Sequence, residues 1–245
     1  MLKLVLLLLL TAIISCAQAA APLRFASTAN NPPFEFLNSE YQLVGFDIDL
    51  AKALCERMQQ QCSFTNNIFE RLLPSLKFRR YDAVISGLDI TEERQKLVDF
   101  TNPYINNSGT MVAGKGLYNN IEQMKGKRVG IGAETTHQAW LTVTWPEIIA
   151  VTYDNYQNAL LDMRNGRLDG IFSDTVAIQE LLKTNPQLAV VGQPITDQRF
   201  FGSGLGIAVR KGNTQLLDNL NKALESLKND GTLDQLRRRW FGAAD

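Results

Sequence analysis

Hydrophobic and polar positions alternate along this chain between two rhythms, short apolar runs and longer stretches of helical spacing. Leu23–Ser27 reads as a strand. Asp47 then caps a helical stretch in which Ile48, Leu50, Ala51, Leu54 and Met58 recur on one face. Ser63–Asn66 reads as a strand, Pro74–Arg79 as a short helix opened by its proline, and Asp82–Ser86 as a buried strand. A second series has the same order: strand Arg128–Ile131, helix Thr136–Val143, strand Ala150–Tyr153, helix Tyr156–Asn165, strand Leu168–Phe172, helix Thr175–Lys183 and strand Leu188–Val191. Gly166 and Pro186 stand where helices stop. Two βαβ series of this kind predict an α/β protein whose sheets are covered by helices.

Two extended stretches, Ser108–Ala113 and Gly202–Arg210, flank the second series. They suit a chain that crosses into a second lobe and returns. The expected organisation is one lobe from residues 22–108 with 206–245, and a second lobe from 109–205 that includes the hinge strands. In the tail, Leu216, Leu217, Leu220, Ala223, Leu224 and Leu227 lie on one face of an amphipathic helix. A last short helix runs from Leu233 to about Trp240.

The N-terminus follows another rule. Lys3, the apolar run Leu4–Leu10 extending to Ile14, and Ala17-Gln18-Ala19 make a secretory signal peptide over residues 1–19. That run is short of the roughly 20 residues a membrane span needs. Ile13-Ile14-Ser15-Cys16 also resembles a lipobox, so lipid anchoring at Cys16 stays open beside a soluble periplasmic form. The 25 basic and 25 acidic residues balance, which argues against a nucleic-acid partner. The single histidine, His137, argues against a zinc site, and no cofactor motif stands out. In an exported protein Cys55 and Cys62 suit a disulfide, with two free thiols as the alternative. One straight helix would hold their Cα atoms roughly 10 Å apart, so a bridge requires the helix to end near Gln59–Gln61.

Candidate chemistry gathers where strands run into helices. In Ser86-Gly87-Leu88-Asp89-Ile90-Thr91-Glu92-Glu93-Arg94, Thr91 is a plausible N-cap. Arg94 falls in the first helical turn, where the helix dipole disfavours a cation. A guanidinium there suits a fork onto a carboxylate, or it is simply solvated. Asp174 alone reads as an N-cap, yet it sits at a strand's carboxyl end, where open α/β sheets bind ligands. Thr135-Thr136-His137 opens another helix, with backbone N–H groups suited to an anion. Donors for a carboxylate and acceptors for an ammonium together fit a zwitterion.

The run Gly45-Phe46-Asp47-Ile48-Asp49-Leu50-Ala51, then Pro74-Ser75-Leu76, Ser86–Arg94 and Phe100-Thr101, resembles the polar amino-acid-binding proteins of bacterial ABC importers. The likeness continues through Gly126–Gly130, Asn165–Gly170 and Gly204–Val209, covering the chain beyond its signal in order. Thr135–Gln138, Tyr156–Ala159 and Lys183–Pro186 look like the periplasmic arginine-binding branch. The resemblance implies a two-lobed, type II periplasmic-binding-protein fold and a monomer that delivers a free L-amino acid to an inner-membrane permease. It implies that Arg94 holds the α-carboxylate with the backbone at Thr135 and Thr136. It assigns Asp174 to the α-ammonium, with Ser86, Gly87 and Asp89 beside it, and lays Phe69 along the ligand side chain. It also implies a Cys55–Cys62 disulfide. Asn31 departs from the pattern, since a tyrosine is common there, so lysine, ornithine, histidine or glutamine stand beside arginine as ligands. Glu35 and Asp89 are acids that could answer a guanidinium. Glu134 reads as a solvent-facing residue, and His137 as a ligand contact or a structural group. An exported enzyme on the same scaffold, such as a cyclohexadienyl dehydratase, is the alternative.

Overall fold

A computed structural model describes residues 21–242; the signal-peptide reading and Cys16 lie outside the described residues. The chain runs through β1 (Leu23–Ser27), β2 (Asn30–Asn31), β3 (Glu35–Leu37), β4 (Leu43–Val44), α1 (Phe46–Arg57), β5 (Cys62–Asn66), α2 (Phe69–Lys77), β6 (Ala83–Val84), α3 (Glu92–Leu97) and β7 (Val98–Phe100). It continues with β8 (Gly109–Gly114), β9 (Arg128–Gly132), α4 (Thr136–Thr144), β10 (Ile149–Tyr153), α5 (Tyr156–Arg164), β11 (Gly170–Asp174), α6 (Thr175–Thr184) and β12 (Leu188–Val190). After α7 (Gln198–Phe201) come β13 (Ala208–Arg210), α8 (Thr214–Asn229) and α9 (Thr232–Phe241).

Two five-stranded sheets share one plan, in the orders β5-β1-β6-β13-β7 and β10-β9-β11-β8-β12. In the first, β5, β1 and β6 are parallel and β13 is antiparallel to both its neighbours. In the second, β10, β9 and β11 are parallel and β8 is antiparallel to β11 and β12. Each sheet thus receives one inserted antiparallel strand from a crossover: β8 on the way out and β13 on the way back.

Strand alternation sends neighbouring residues to opposite faces, and both faces are covered. Phe25, Ile85 and Val209 pack under α1, α8 and α9 with Leu50, Leu54, Leu220 and Leu224. Their neighbours Ala26, Val84 and Ala208 pack on the other face against Leu72 and Leu76 of α2. In the second sheet Met111, Val129, Ile131 and Phe172 meet Trp140 and Leu141 of α4, while Val112 and Ile171 meet Ala159 and Ile178 of α5 and α6. Burial on both faces explains why these strands read as continuous apolar runs.

The two crossovers run side by side. Leu205 N donates to Ile105 O at 2.8 Å and Tyr104 N to Leu205 O at 2.9 Å, while Gly109 and Ile195 exchange bonds at 2.9 and 2.7 Å. Gly204 sits at φ +118°, and a Cβ there would stand 2.4 Å from Ile105 O, so only glycine allows the strands to approach this closely.

Three sequence expectations need correction. Asp47 does not cap α1; Gly45 holds that position and Asp47 lies in the first turn, its carboxylate turned onto Gly87 N and the Tyr104 hydroxyl. Pro74 does not open its helix but lies inside α2, which begins at Phe69. Burial of Leu72 and Leu76, spaced i,i+4, outweighs the one backbone bond that proline removes. The three-stranded antiparallel sheet β2-β3-β4 is absent from the sequence reading, because strands of two or three residues carry no period to detect.

Helix α1 ends at Arg57, and the chain folds back so that Cys55 and Cys62 are bridged with Cα atoms 6.0 Å apart. Closing so short a loop is worth about 2–3 kcal/mol by unfolded-state entropy. Cys62→Ser should therefore lower the urea midpoint without changing the folded spectrum. An unchanged midpoint would show that the bridge contributes nothing.

Candidate functional site

A cleft of about 490 Å³ opens between the two sheets and is lined by residues from both. Its walls are the segments that follow the carboxyl ends of the parallel strands: residues 28–31 after β1, 66–71 after β5, 86–94 after β6, 132–137 after β9 and 173–174 ending β11. This is where open α/β sheets leave unpaired backbone and helix N-termini free for ligands.

Arg94 is presented by α3, whose cap is Thr91: its Oγ1 accepts from Arg94 N at 3.2 Å. The guanidinium is half-buried, donates through Nη1 to Asp89 O at 3.1 Å and lies 5.5 Å from the Phe69 ring centroid. Burial lowers the Arg94 pKa, opposed by the carboxylates of Asp89 and Asp174; a guanidinium keeps its charge nonetheless. Phe69 thus forms a shelf for Arg94 itself.

Asp174 occupies the N-cap position of α6 but makes no side-chain cap bond. Its Oδ1 accepts instead from Asn107 Nδ2 at 2.6 Å. The same amide nitrogen donates to Asp89 Oδ1 at 2.7 Å, and Asp89 Oδ2 accepts from Thr136 Oγ1 at 2.6 Å. Asp89 and Asp174, 2% and 6% exposed, are therefore two buried carboxylates from opposite walls, joined by one amide. Both are raised to about 6, by burial first; the Asp174 charge adds to the rise of Asp89, while Arg94 and the Asn107 hydrogen bond oppose the rise of each. Two desolvated carboxylates beside one guanidinium leave the cleft ready for a further cationic group.

The other expected residues fall around this centre. Gly87 sits at φ +53°, and its N donates to Asp47 Oδ2 at 2.7 Å. A Cβ there would stand 3.2 Å from Asn31 Nδ2 and 4.0 Å from Asp174 Oδ2, so the missing side chain leaves room for both. Ser86 Oγ donates to Glu35 Oε1 at 2.8 Å below the cleft floor. Thr135 caps α4, accepting from Gln138 N at 3.2 Å. His137 lies against Phe172 and Phe201, with centroids 5.0 and 5.2 Å away. Burial lowers it to about 4, so it is a neutral ring. Its Nε2 is 3.4 Å from Asp174 Oδ1 without the alignment of a hydrogen bond. Glu134 is exposed.

Asn107 is the residue that sequence reasoning missed. It lies in the polar run Asn106-Asn107-Ser108 of a crossover, where no spacing distinguishes a bridging amide from a surface one. Asn30 also escaped notice; its Nδ2 reaches across the cleft to Asp154 O at 2.6 Å. Tyr156, in the cleft wall, accepts from Gly132 N and donates to Phe172 O, each at 3.1 Å.

Comparison with known proteins places this arrangement in a family. The sequence pattern of the bacterial extracellular solute-binding proteins, family 3, matches residues 23–243. The ABC transporter arginine-binding protein 1 of Escherichia coli (strain K12) is 52% identical over 239 residues, which cover 98% of each chain. The histidine-binding periplasmic protein of the same organism is 37% identical over 236 residues, covering 93% of this chain and 91% of that one. Among solved structures, a Salmonella typhimurium periplasmic binding protein described for its high arginine specificity superposes with a TM-score of 0.87 at 43% identity, over 91% of this chain and all of its own. The two sheet bodies, each flanked by helices and joined by paired crossovers, form the two-lobed type II periplasmic-binding fold. This chain belongs to the bacterial extracellular solute-binding proteins of family 3.

Proposed function

We propose that this protein is an extracytoplasmic receptor that captures a free L-amino acid, arginine first, and delivers it to an ABC importer. The observation that carries the reading is the charge set where the cleft walls meet: the Arg94 guanidinium, with the Asp89–Asn107–Asp174 carboxylate pair beside it. The α-carboxylate pairs with Arg94 and the free N–H groups at the start of α4, and the α-ammonium with Asp174 and Asp89. An ammonium there neutralises carboxylates that burial otherwise disfavours.

Beyond the clamp the cleft is lined by Thr28, Asn30 and Asp154, which offer acceptors to a side chain rich in donors. The arginine-binding names of the 52%-identical relative and of the structural neighbour support the same ligand. Those relatives are named for binding, which supports a receptor over a dehydratase. Residues 22–108 with 206–245, and 109–205, act as lobes that close on the ligand about the paired crossovers. The periplasm, an inner-membrane permease as partner and a monomeric state complete the proposal.

Calorimetric titration of protein stripped of copurified ligand by unfolding and refolding tests it. Arginine should bind at one site and ahead of lysine, ornithine, histidine and glutamine. A different order would change the ligand, and no heat with any amino acid would remove the receptor reading.

A further inference from the structure

Beneath the cleft floor lie two carboxyl groups that the clamp does not use. Glu35, on β3, is fully buried, and so is Asp47 in α1. Glu35 Oε1 accepts from Thr28 Oγ1 and from Ser86 Oγ, each at 2.8 Å. Asp47 Oδ2 accepts from Gly87 N at 2.7 Å and from Tyr104 Oη at 3.1 Å. Each group has one oxygen left over: Glu35 Oε2 and Asp47 Oδ1 meet no donor among the described residues when both are counted as carboxylates. The two groups are hydrogen-bonding neighbours, so one proton placed between these atoms satisfies both at once.

We infer that Glu35 is held as the neutral acid, its Oε2 proton donated to Asp47 Oδ1, and that it selects the ligand side chain by orienting hydroxyls rather than as a counter-charge. With the proton on Oε2, Oε1 has only lone pairs, and both hydroxyls must point their hydrogens down at it. The Thr28 oxygen is then left facing the cleft as an acceptor. A donor-rich side chain such as a guanidinium finds partners there, whereas an acceptor meets only lone pairs. This deepens the arginine reading and rests on it for the ligand, but the position of the proton does not.

The surroundings agree. Burial first, and then the charge of Asp47, push Glu35 well above the ordinary carboxyl range, against the hydrogen bonds from Ser86 and Thr28. Burial likewise pushes Asp47 up to about 7, against Gly87, Tyr104 and Glu35, while Asp174 adds a further negative charge nearby. A pair carrying both charges in this setting would be costly, and a pair sharing one proton is not.

Glu35→Gln is the discriminating variant, because an amide reproduces the neutral acid: its nitrogen donates to Asp47 Oδ1 and its oxygen accepts from Thr28 and Ser86. Near neutral pH, infrared spectra of the intact parent protein should show the carbonyl band of a protonated carboxylic acid, lost in Glu35→Gln. The variant should bind arginine within about threefold of the parent. Asp47→Asn should also remove the band, since its amide donates to Glu35 Oε2 and the shared proton is no longer needed. A parent spectrum without the acid band, or a folded Glu35→Gln that loses arginine about a hundredfold or more, overturns the inference. A parent that shows the band but does not bind arginine removes the proposed ligand and leaves the proton where it is placed here.

Discussion

Arg94→Ala should abolish amino-acid binding while leaving the protein folded. The guanidinium lies in the cleft wall with Asp89 and Asp174 about it, and a ligand carboxylate seated against it is largely removed from water. Losing one partner of such a charge pair costs about 3–5 kcal/mol, roughly a hundredfold to a few thousandfold in affinity. The structural cost is small by comparison. Helix α3 contributes no buried residue, and the side chain makes one hydrogen bond and one ring contact, to Asp89 O and Phe69. Stability should therefore move by about 1 kcal/mol or less. Calorimetry with arginine, beside a denaturant titration of the same variant, reads both. Near-parental affinity in a folded Arg94→Ala would assign the carboxylate to another group.

Asp174→Asn should cost nearly as much, for the opposite end of the ligand. The substitution keeps an oxygen to accept from Asn107 and removes only the charge. Asp174 makes no cap bond to α6, so the helix loses nothing. An ammonium would then have Asp89 alone, and a buried charged hydrogen bond of this kind is worth about 2–4 kcal/mol. The Asn107 bridge also implies a graded response. Because Asp89 shares the amide and lies beside the same charge, Asp89→Asn combined with Asp174→Asn should lose less than the sum of the two single losses. Full additivity, measured by arginine titration of the four proteins of that cycle, would separate the two carboxylates into independent sites.

The large sheets are legible in the sequence because their strands are buried on both faces, which leaves adjacent apolar residues such as Phe25-Ala26 and Ile171-Phe172 where a half-exposed strand would alternate. The junction residues were legible for a related reason: a strand leading into a helix must pass the sheet's carboxyl edge, so Ser86–Arg94 and Thr135–His137 could only lie there. What stayed hidden depended on contacts between distant segments. Asp47 looked like a cap because an acid at the start of an apolar helical stretch usually is one; the pull of Gly87, 40 positions away, is invisible in local sequence. Pro74 looked like a helix start for the same reason. Asn107 has no local mark, since its role exists only where the two walls meet. Asp174 is the opposite case. Its sequence position suggested both a cap and a ligand partner, and its side chain makes no cap bond and turns towards the cleft.

The central claim is that one amino acid lies across the cleft with its two charged ends on Arg94 and on the Asp174–Asp89 pair. A crystal structure of the arginine complex tests it most directly. The α-carboxylate should lie within hydrogen-bonding distance of the Arg94 guanidinium and the first N–H groups of α4, with the α-ammonium on Asp174 and the guanidinium towards Thr28. A ligand bound in the reverse sense, with its guanidinium on Asp174 and its carboxylate away from Arg94, would contradict it.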